Sequence, residues 1–135
     1  SDIAHGDAGS DTIILAQSLL NTADSNTLID GGSGTDTLQL FATSSLSLSS
    51  LSASKFNSIE VLDLSADSVD TVIELSSAGV RGLVDSGSPA LTIKLGAGDS
   101  YSIASSDTLV SISNSGARLT LSDAQGQTTV NFVYA

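Results

Sequence analysis

The sequence predicts an all-β protein, folded as a right-handed parallel β-roll or β-helix (a solenoid) with short helical insertions and antiparallel strands at its C-terminal end. Short runs of alternating apolar and polar residues are separated by Gly, Ser, Asp and Asn, which is typical of strands joined by turns. An Asp-Thr-apolar junction also begins at residues 11, 36, 70 and 107, at irregular intervals that suit stacked coils with different insertions. The 135 residues fit one domain.

Nine runs are expected to be strands, at residues 12–15, 37–41, 59–64, 71–75, 90–95, 101–104, 108–113, 118–121 and 128–134. Short helices are expected at residues 16–21 and 52–57, with a third at 76–84, where Gly79 and Gly82 lower the helix propensity. The C-terminal run ARLTLSDAQGQTTVNFVYA predicts hairpin-like strands around a tight turn at AQGQ. A leucine-rich repeat is the rival fold, because LSLSSLSASKFNSIEVLDLS has a similar spacing of leucines. The asparagine expected after the L-x-L strand is missing, however.

The charge and composition exclude several classes of function. The formal charge is −11, so a nucleic-acid partner is not expected, because binding nucleic acid needs a basic surface. No apolar run approaches 18 residues, so no membrane span is expected, and without cysteine no disulfide framework is possible. The chain begins without Met, and we interpret it as a fragment of something longer.

Residues 31–39, GGSGTDTLQ, match the nonapeptide G-G-x-G-x-D-x-U-x, where U is a large apolar residue, which is a calcium-binding repeat. Residues 6–14, GDAGSDTII, match it with one departure, Asp7 at the second glycine. Glycines allow positive φ, so such a turn can coil tightly and direct its carbonyls inward. Calcium takes six to eight oxygen ligands, which carbonyls and the motif aspartate can supply. The sequence therefore predicts metal sites at both turns.

One turn alone cannot surround the ion, so a site needs two turns from neighbouring coils. In a coil of two nonapeptides, turns on one side lie about 18 residues apart. The two motifs lie 25 residues apart, and the extra residues fall in AQSLLNTADSN. We therefore expect the two turns to stack and share Ca²⁺. The expected calcium-binding residues are Gly6, Ala8, Gly9, Asp11, Gly31, Gly32, Ser33, Gly34 and Asp36.

Residues 1–41 are thus expected to form the calcium-binding coils. Residues 42–135 are expected to form degenerate, ion-poor coils and C-terminal strands. Two degenerate turns keep part of the motif: SADSVD keeps Asp70 but no glycine, and GAGDS keeps two glycines with Asp99 one position early.

The two motifs resemble those of the repeat-in-toxin (RTX) proteins, which Gram-negative bacteria export by type I secretion. Residues 56–103 more loosely resemble a segment near the C-terminal end of giant RTX adhesins. The resemblance implies a calcium-binding structural module of a secreted bacterial surface protein, which folds on extracellular Ca²⁺ and supports secretion, adhesion and biofilm formation. It implies calcium ions as cofactor, adjoining domains of a larger protein as partners, and a location outside the cell.

A second hypothesis is a binding module that engages glycan or another copy of itself, as in a surface layer. An enzyme is not expected. The sequence has no G-x-S-x-G elbow, and its lone histidine, His5, has no second histidine or cysteine to complete a zinc site. A carboxylate pair such as Asp67 and Asp70 occurs far more often at a solvated turn than in a glycosidase.

Overall fold

The computed structural model of the protein describes residues 3–16, 28–41, 45–47, 56–66, 70–75, 80, 83, 90–103, 111–115, 118–123 and 126–134. Most of these residues lie in thirteen strands or in the turns that join them. The strands are β1 (Ile3–His5), β2 (Thr12–Ala16), β3 (Leu28–Asp30), β4 (Thr37–Phe41), β5 (Ser45–Ser47), β6 (Phe56–Asn57), β7 (Val61–Asp63), β8 (Val72–Leu75), β9 (Ala90–Leu95), β10 (Ser100–Ile103), β11 (Ser111–Ser115), β12 (Arg118–Asp123) and β13 (Gly126–Tyr134).

The strands form three sheets. One sheet has seven strands in the order β11-β12-β13-β9-β7-β4-β2, and two sheets have three strands each, β1-β3-β6 and β10-β8-β5. Both small sheets are parallel. In the large sheet β2, β4, β7, β9 and β13 pair in parallel, whereas β11, β12 and β13 pair antiparallel.

The prediction of a parallel β-roll or β-helix is therefore wrong, because the large sheet is mixed. The register sets Asp123 opposite Gly126, so only two residues connect β12 to β13. Such a connection can join antiparallel strands, whereas parallel neighbours need a crossover of a dozen or more residues. Strand β13 then pairs in parallel with β9 on its other side. This chain is not a solenoid.

Several expected strands coincide with observed ones, including β4 and β9 with the expected bounds. The sequence did not predict β1, β3, β5 and β6, which have only two or three residues each and so carry almost no periodicity. Of the helix expected at residues 52–57 only Phe56 and Asn57 are described, and they form strand β6. Of the helix expected at 16–21 only Ala16, the end of β2, is described. Within the run at 76–84, the two described residues, Val80 and Leu83, are helical.

The buried apolar residues of the described part of the chain form one hydrophobic cluster that joins the three sheets. Ile29 of β3, Leu38 of β4 and Ile73 of β8 are all buried in it. Strand β9 alternates between buried and more exposed residues, as expected for a strand with one face on a core. The rings of Tyr101 on β10 and Phe132 on β13 stack with centroids 4.5 Å apart. Each fully buried Leu or Ile contributes roughly 1.5–3 kcal/mol to folding.

Asp63 is a buried carboxylate on strand β7, with 9% of its surface exposed. Its Oδ1 accepts hydrogen bonds from Ser65 Oγ (2.7 Å) and Ser65 N (2.9 Å), and its Oδ2 accepts one from Gln39 Nε2 (3.3 Å). Burial raises the pKa of Asp63, but the hydrogen bonds from Ser65 and Gln39 and the charge of Lys94 outweigh burial, so the pKa lies below its ordinary value.

The substitution Asp63→Asn tests this network. Because the folded-state pKa lies below the unfolded value of about 3.9, the ionised carboxylate stabilises the protein above about pH 4, and this stabilisation is lost as the pH falls through the folded pKa. We expect the variant to be less stable than the wild type at pH 7. The difference should shrink below about pH 4, as measured by urea unfolding across this pH range. Two pH profiles that run parallel throughout would contradict the assignment.

Candidate metal site

The two glycine-rich turns lie against each other. The first turn, residues 6–11, connects β1 to β2, and the second turn, residues 31–36, connects β3 to β4. Strand β1 pairs with β3 with His5 opposite Asp30, and β2 pairs with β4 with Thr12 opposite Thr37. Each residue of the first turn therefore lies beside its equivalent 25 positions later, and the stacking predicted from the spacing is observed.

Backbone hydrogen bonds join the two turns along their length. They run from Gly6 N to Asp30 O (2.9 Å), from Ser33 N to Asp7 O (2.8 Å), from Gly9 N to Ser33 O (2.9 Å) and from Thr37 N to Asp11 O (2.8 Å). A β-bridge between Ala8 and Ser33 lies at the centre of this ladder. The ladder continues the pairing of the strands through the turns, so the two turns form one continuous stacked unit.

The second and fourth motif positions explain why glycine is needed in these turns. The fourth position has φ of +124° at Gly9 and +139° at Gly34, and a Cβ on Gly34 would clash with the Gly9 carbonyl oxygen. The second position has φ of +94° at Gly32 and +72° at Asp7. Aspartate is one of the few residues with a side chain that tolerates this left-handed region, which accounts for the departure from the motif at Asp7.

A third turn stacks on the other side of the second turn. Residues 58–60 connect β6 to β7, whose registers set Asn57 opposite Asp30 and Val61 opposite Thr37. A carboxylate links each turn to the one before it. Asp36 Oδ1 accepts a hydrogen bond from Asp11 N (2.8 Å), and Glu60 Oε2 accepts one from Asp36 N (2.9 Å). We call Asp11, Asp36 and Glu60 the carboxylate row.

Two oxygens of this row are buried without a hydrogen bond from any described residue: Asp11 Oδ2 and Asp36 Oδ2. Asp36 as a whole is 0% exposed. Asp11 Oδ2 lies 2.8 Å from the position that a Cβ on Gly6 would take, and the Gly31 carbonyl oxygen lies closer still to that point. Asp11 Oδ2 and the Gly31 carbonyl oxygen thus face one small space, which is unfavourable unless a positively charged group lies between them.

The structure brings all nine sequence-predicted site residues into the first two turns. Only Asp11 and Asp36 direct carboxylate oxygens into the interior. Ala8 and Ser33 are exposed and face each other through their backbones. The departing residue Asp7 is also exposed. Outside the turns, His5 Nδ1 lies 3.9 Å from Asp30 Oδ2 with half of its side chain exposed.

The two degenerate turns also lie together, but their chemistry differs. Asp99 Oδ1 accepts a hydrogen bond from Thr71 N (2.8 Å), and Asp99 Oδ2 accepts one from Gly96 N (2.7 Å). Asp70 is exposed and packs against Gly98. Both oxygens of Asp99 are therefore satisfied by the backbone, which distinguishes this pair of turns from the carboxylate row.

Ser58 and Glu60 are not predicted by the nonapeptide motif, because the third turn has three residues and no glycine. A signal was present. The run Thr35-Asp36-Thr37-Leu38-Gln39-Leu40 aligns with Ile59-Glu60-Val61-Leu62-Asp63-Leu64, with an acid two positions before the first leucine, and the strand register confirms this alignment.

Comparisons with known proteins return nothing for this chain: no family model, no curated protein and no solved structure gives a significant match. In the part of the chain that the structure describes, no three or more His, Cys, Asp or Glu side chains cluster as a metal-binding group. A metal site in the turns would therefore need backbone carbonyls as well as carboxylates. The described helical residues form no segment long and apolar enough to cross a membrane.

The substitutions Gly34→Ala and Gly9→Ala form a matched pair that tests the stacking. Both place a Cβ at positive φ, which costs about 1–2 kcal/mol, but a Cβ on Gly9 meets no atom within 4 Å, whereas a Cβ on Gly34 meets the Gly9 carbonyl. We expect Gly34→Ala to cost about 3 kcal/mol or more and Gly9→Ala about half of that, measured by urea unfolding in buffer with calcium. Equal losses of stability would contradict the stacking.

Proposed function

We propose that this chain is a calcium-binding structural module of a secreted bacterial surface protein, which folds on extracellular Ca²⁺ and supports secretion and adhesion. The observation that carries the proposal is the pair of buried oxygens Asp11 Oδ2 and Asp36 Oδ2, which no described residue satisfies. In the proposed site, one ion lies between the first and second turns. Its protein ligands are these two oxygens and the Gly31 carbonyl.

A cation is the simplest partner for these oxygens. A buried carboxylate oxygen without a partner costs several kcal/mol, and the usual remedies are a proton, a cationic side chain or a metal ion. The chain has only four Lys and Arg residues in total against fifteen Asp and Glu. Among the described residues, no Lys or Arg side chain pairs with Asp11 or Asp36. The first and second turns themselves contain no basic residue.

The donor set and its spacing favour calcium among metal ions. All the donors are carboxylate or carbonyl oxygens, which suit a hard cation and not zinc. Paired strands lie about 4.8 Å apart, so equivalent oxygens on neighbouring turns have about the same separation. An ion midway between them would lie about 2.4 Å from each oxygen, within the range for Ca²⁺ and too far for Mg²⁺. Calcium takes six to eight oxygen ligands, so further carbonyls of the turns or water molecules would complete the shell.

The proposed role is structural because the carboxylates are held by the fold. Asp36 and Glu60 each accept a backbone N–H of the preceding turn, so they support the stack and are not presented to a substrate. An ion that binds only the folded form would stabilise the protein by about 2.7 kcal/mol when its concentration is a hundredfold above Kd. The RTX-like motifs and the formal charge of −11 support an extracellular, calcium-rich setting.

The substitution Asp36→Asn tests this proposal. Asparagine keeps an acceptor for Asp11 N but replaces the second carboxylate oxygen with an amide that can donate to a carbonyl. We expect saturating Ca²⁺ to raise the Tm of the wild type on the order of 10 °C and to leave the variant nearly unchanged. In chelator the variant should be at least as stable as the wild type, because it lacks the buried charge. Circular dichroism thermal melts measure both effects.

Glu74→Gln is the matched control, because it removes one negative charge from an exposed site on strand β8, outside the three turns. Its response to Ca²⁺ should equal that of the wild type. If the wild-type Tm does not rise with Ca²⁺, or if Asp36→Asn responds as strongly as the wild type, the proposed function is wrong.

A further inference from the structure

We infer that the third turn, which has no glycine-aspartate motif, completes a second cation site on the far side of Asp36. This inference rests on the proposed function, since it uses the same kind of oxygen cage. Its ligands are Asp36 Oδ2, the Ser58 carbonyl and the Glu60 carboxylate. Asp36 would then bridge two ions, one toward Asp11 and one toward Glu60.

The space beside Asp36 repeats the space beside Asp11. Asp36 Oδ2 lies 2.8 Å from the position of a Cβ on Gly31, as Asp11 Oδ2 does for Gly6. The carbonyl oxygen of Ser58 faces this second space, as that of Gly31 faces the first. The two spaces therefore share one arrangement: a glycine with no Cβ, a buried carboxylate oxygen and a carbonyl from the next turn.

The buried oxygen Asp36 Oδ2 indicates a bound cation independently of the clustering of acidic residues. Asp36 is 0% exposed, and its Oδ2 is buried with no hydrogen bond from any described residue. Its Oδ1 is already engaged by Asp11 N. The unsatisfied oxygen is thus next to the Ser58 carbonyl, where a cation would be attracted by both.

The conformation of Ser58 fits this role. It has φ of +55°, a left-handed conformation uncommon for a residue with a side chain, and it is 7% exposed. The next residue, Ile59, is fully buried and donates its N–H to Leu83 O (2.8 Å). The hydrogen bond from Ile59 to Leu83 therefore holds the third turn in place, and Ser58, in its strained conformation, keeps its carbonyl beside Asp36.

Glu60 takes the place that Asp36 holds in the turn before. Its Oε2 accepts Asp36 N as Asp36 Oδ1 accepts Asp11 N. Its backbone is fixed on both sides, since Glu60 N donates to Asp36 O (3.1 Å) and Glu60 O accepts Thr92 N (2.9 Å). The third turn is three residues shorter than the second, and the extra methylene of glutamate extends the carboxylate back toward Asp36.

The number of bound ions tests the inference. We expect equilibrium dialysis against Ca²⁺, with metal analysis, to give two ions per wild-type chain and one ion for Glu60→Gln, which keeps an acceptor for Asp36 N. Asp36→Asn should bind none, because Asp36 serves both sites. Glu74→Gln should bind two. Circular dichroism in the same buffer checks that each variant is folded.

Asp11→Asn is a second variant that leaves the third turn intact. With two sites it should retain one ion, whereas with a single site between the first two turns it should retain none. If the wild type binds one ion and Asp11→Asn binds none, the second site is wrong and the proposed function stands. If the wild type binds no Ca²⁺, the proposed function fails and the inference fails with it.

Discussion

The structure of the turn region depends on one constraint: a carboxylate must satisfy the backbone of the neighbouring turn while its other oxygen stays buried. Asp36 does this for Asp11, and Glu60 does it for Asp36. Each of these hydrogen bonds fixes the position of one turn relative to the next, so the strands on either side of the turns pair in register. The same bonds place negative charge inside the protein, where it is costly without a counter-charge. A cation would relieve this cost and would make folding depend on the ion.

The core and the turns reinforce each other through this register. Leu38 on β4 pairs in register with Leu62 on β7, and both are fully buried, so a slip of either strand by one residue would turn the leucine of that strand toward solvent. The turns add a second restriction, because a side chain at Gly34 would meet the backbone of Gly9. Apolar packing therefore sets which strands pair, and the glycines set how closely the turns between them approach.

The sequence predicts local features of this protein better than its architecture. The GGSGTD turn is predictable because positive φ and a carboxylate at a fixed spacing are local properties, and the 25-residue separation indicates the stacking. Glu60 is harder to find, since it belongs to a turn without glycine and is visible only when IEVLDL is aligned with TDTLQL. The solenoid prediction failed at β13, which pairs antiparallel with β12 and parallel with β9. That choice of partners depends on tertiary packing, which alternation within a strand does not encode.

The central claim is that the buried oxygens of the carboxylate row coordinate calcium. Anomalous diffraction from crystals grown with Ca²⁺ tests it most directly, because it locates the ion and its ligands together. The account predicts an anomalous peak about 2.3–2.6 Å from both Asp11 Oδ2 and Asp36 Oδ2, with the Gly31 carbonyl in the same shell. Density without such a peak, in which both oxygens are hydrogen-bonded to water or to the chain, would contradict it.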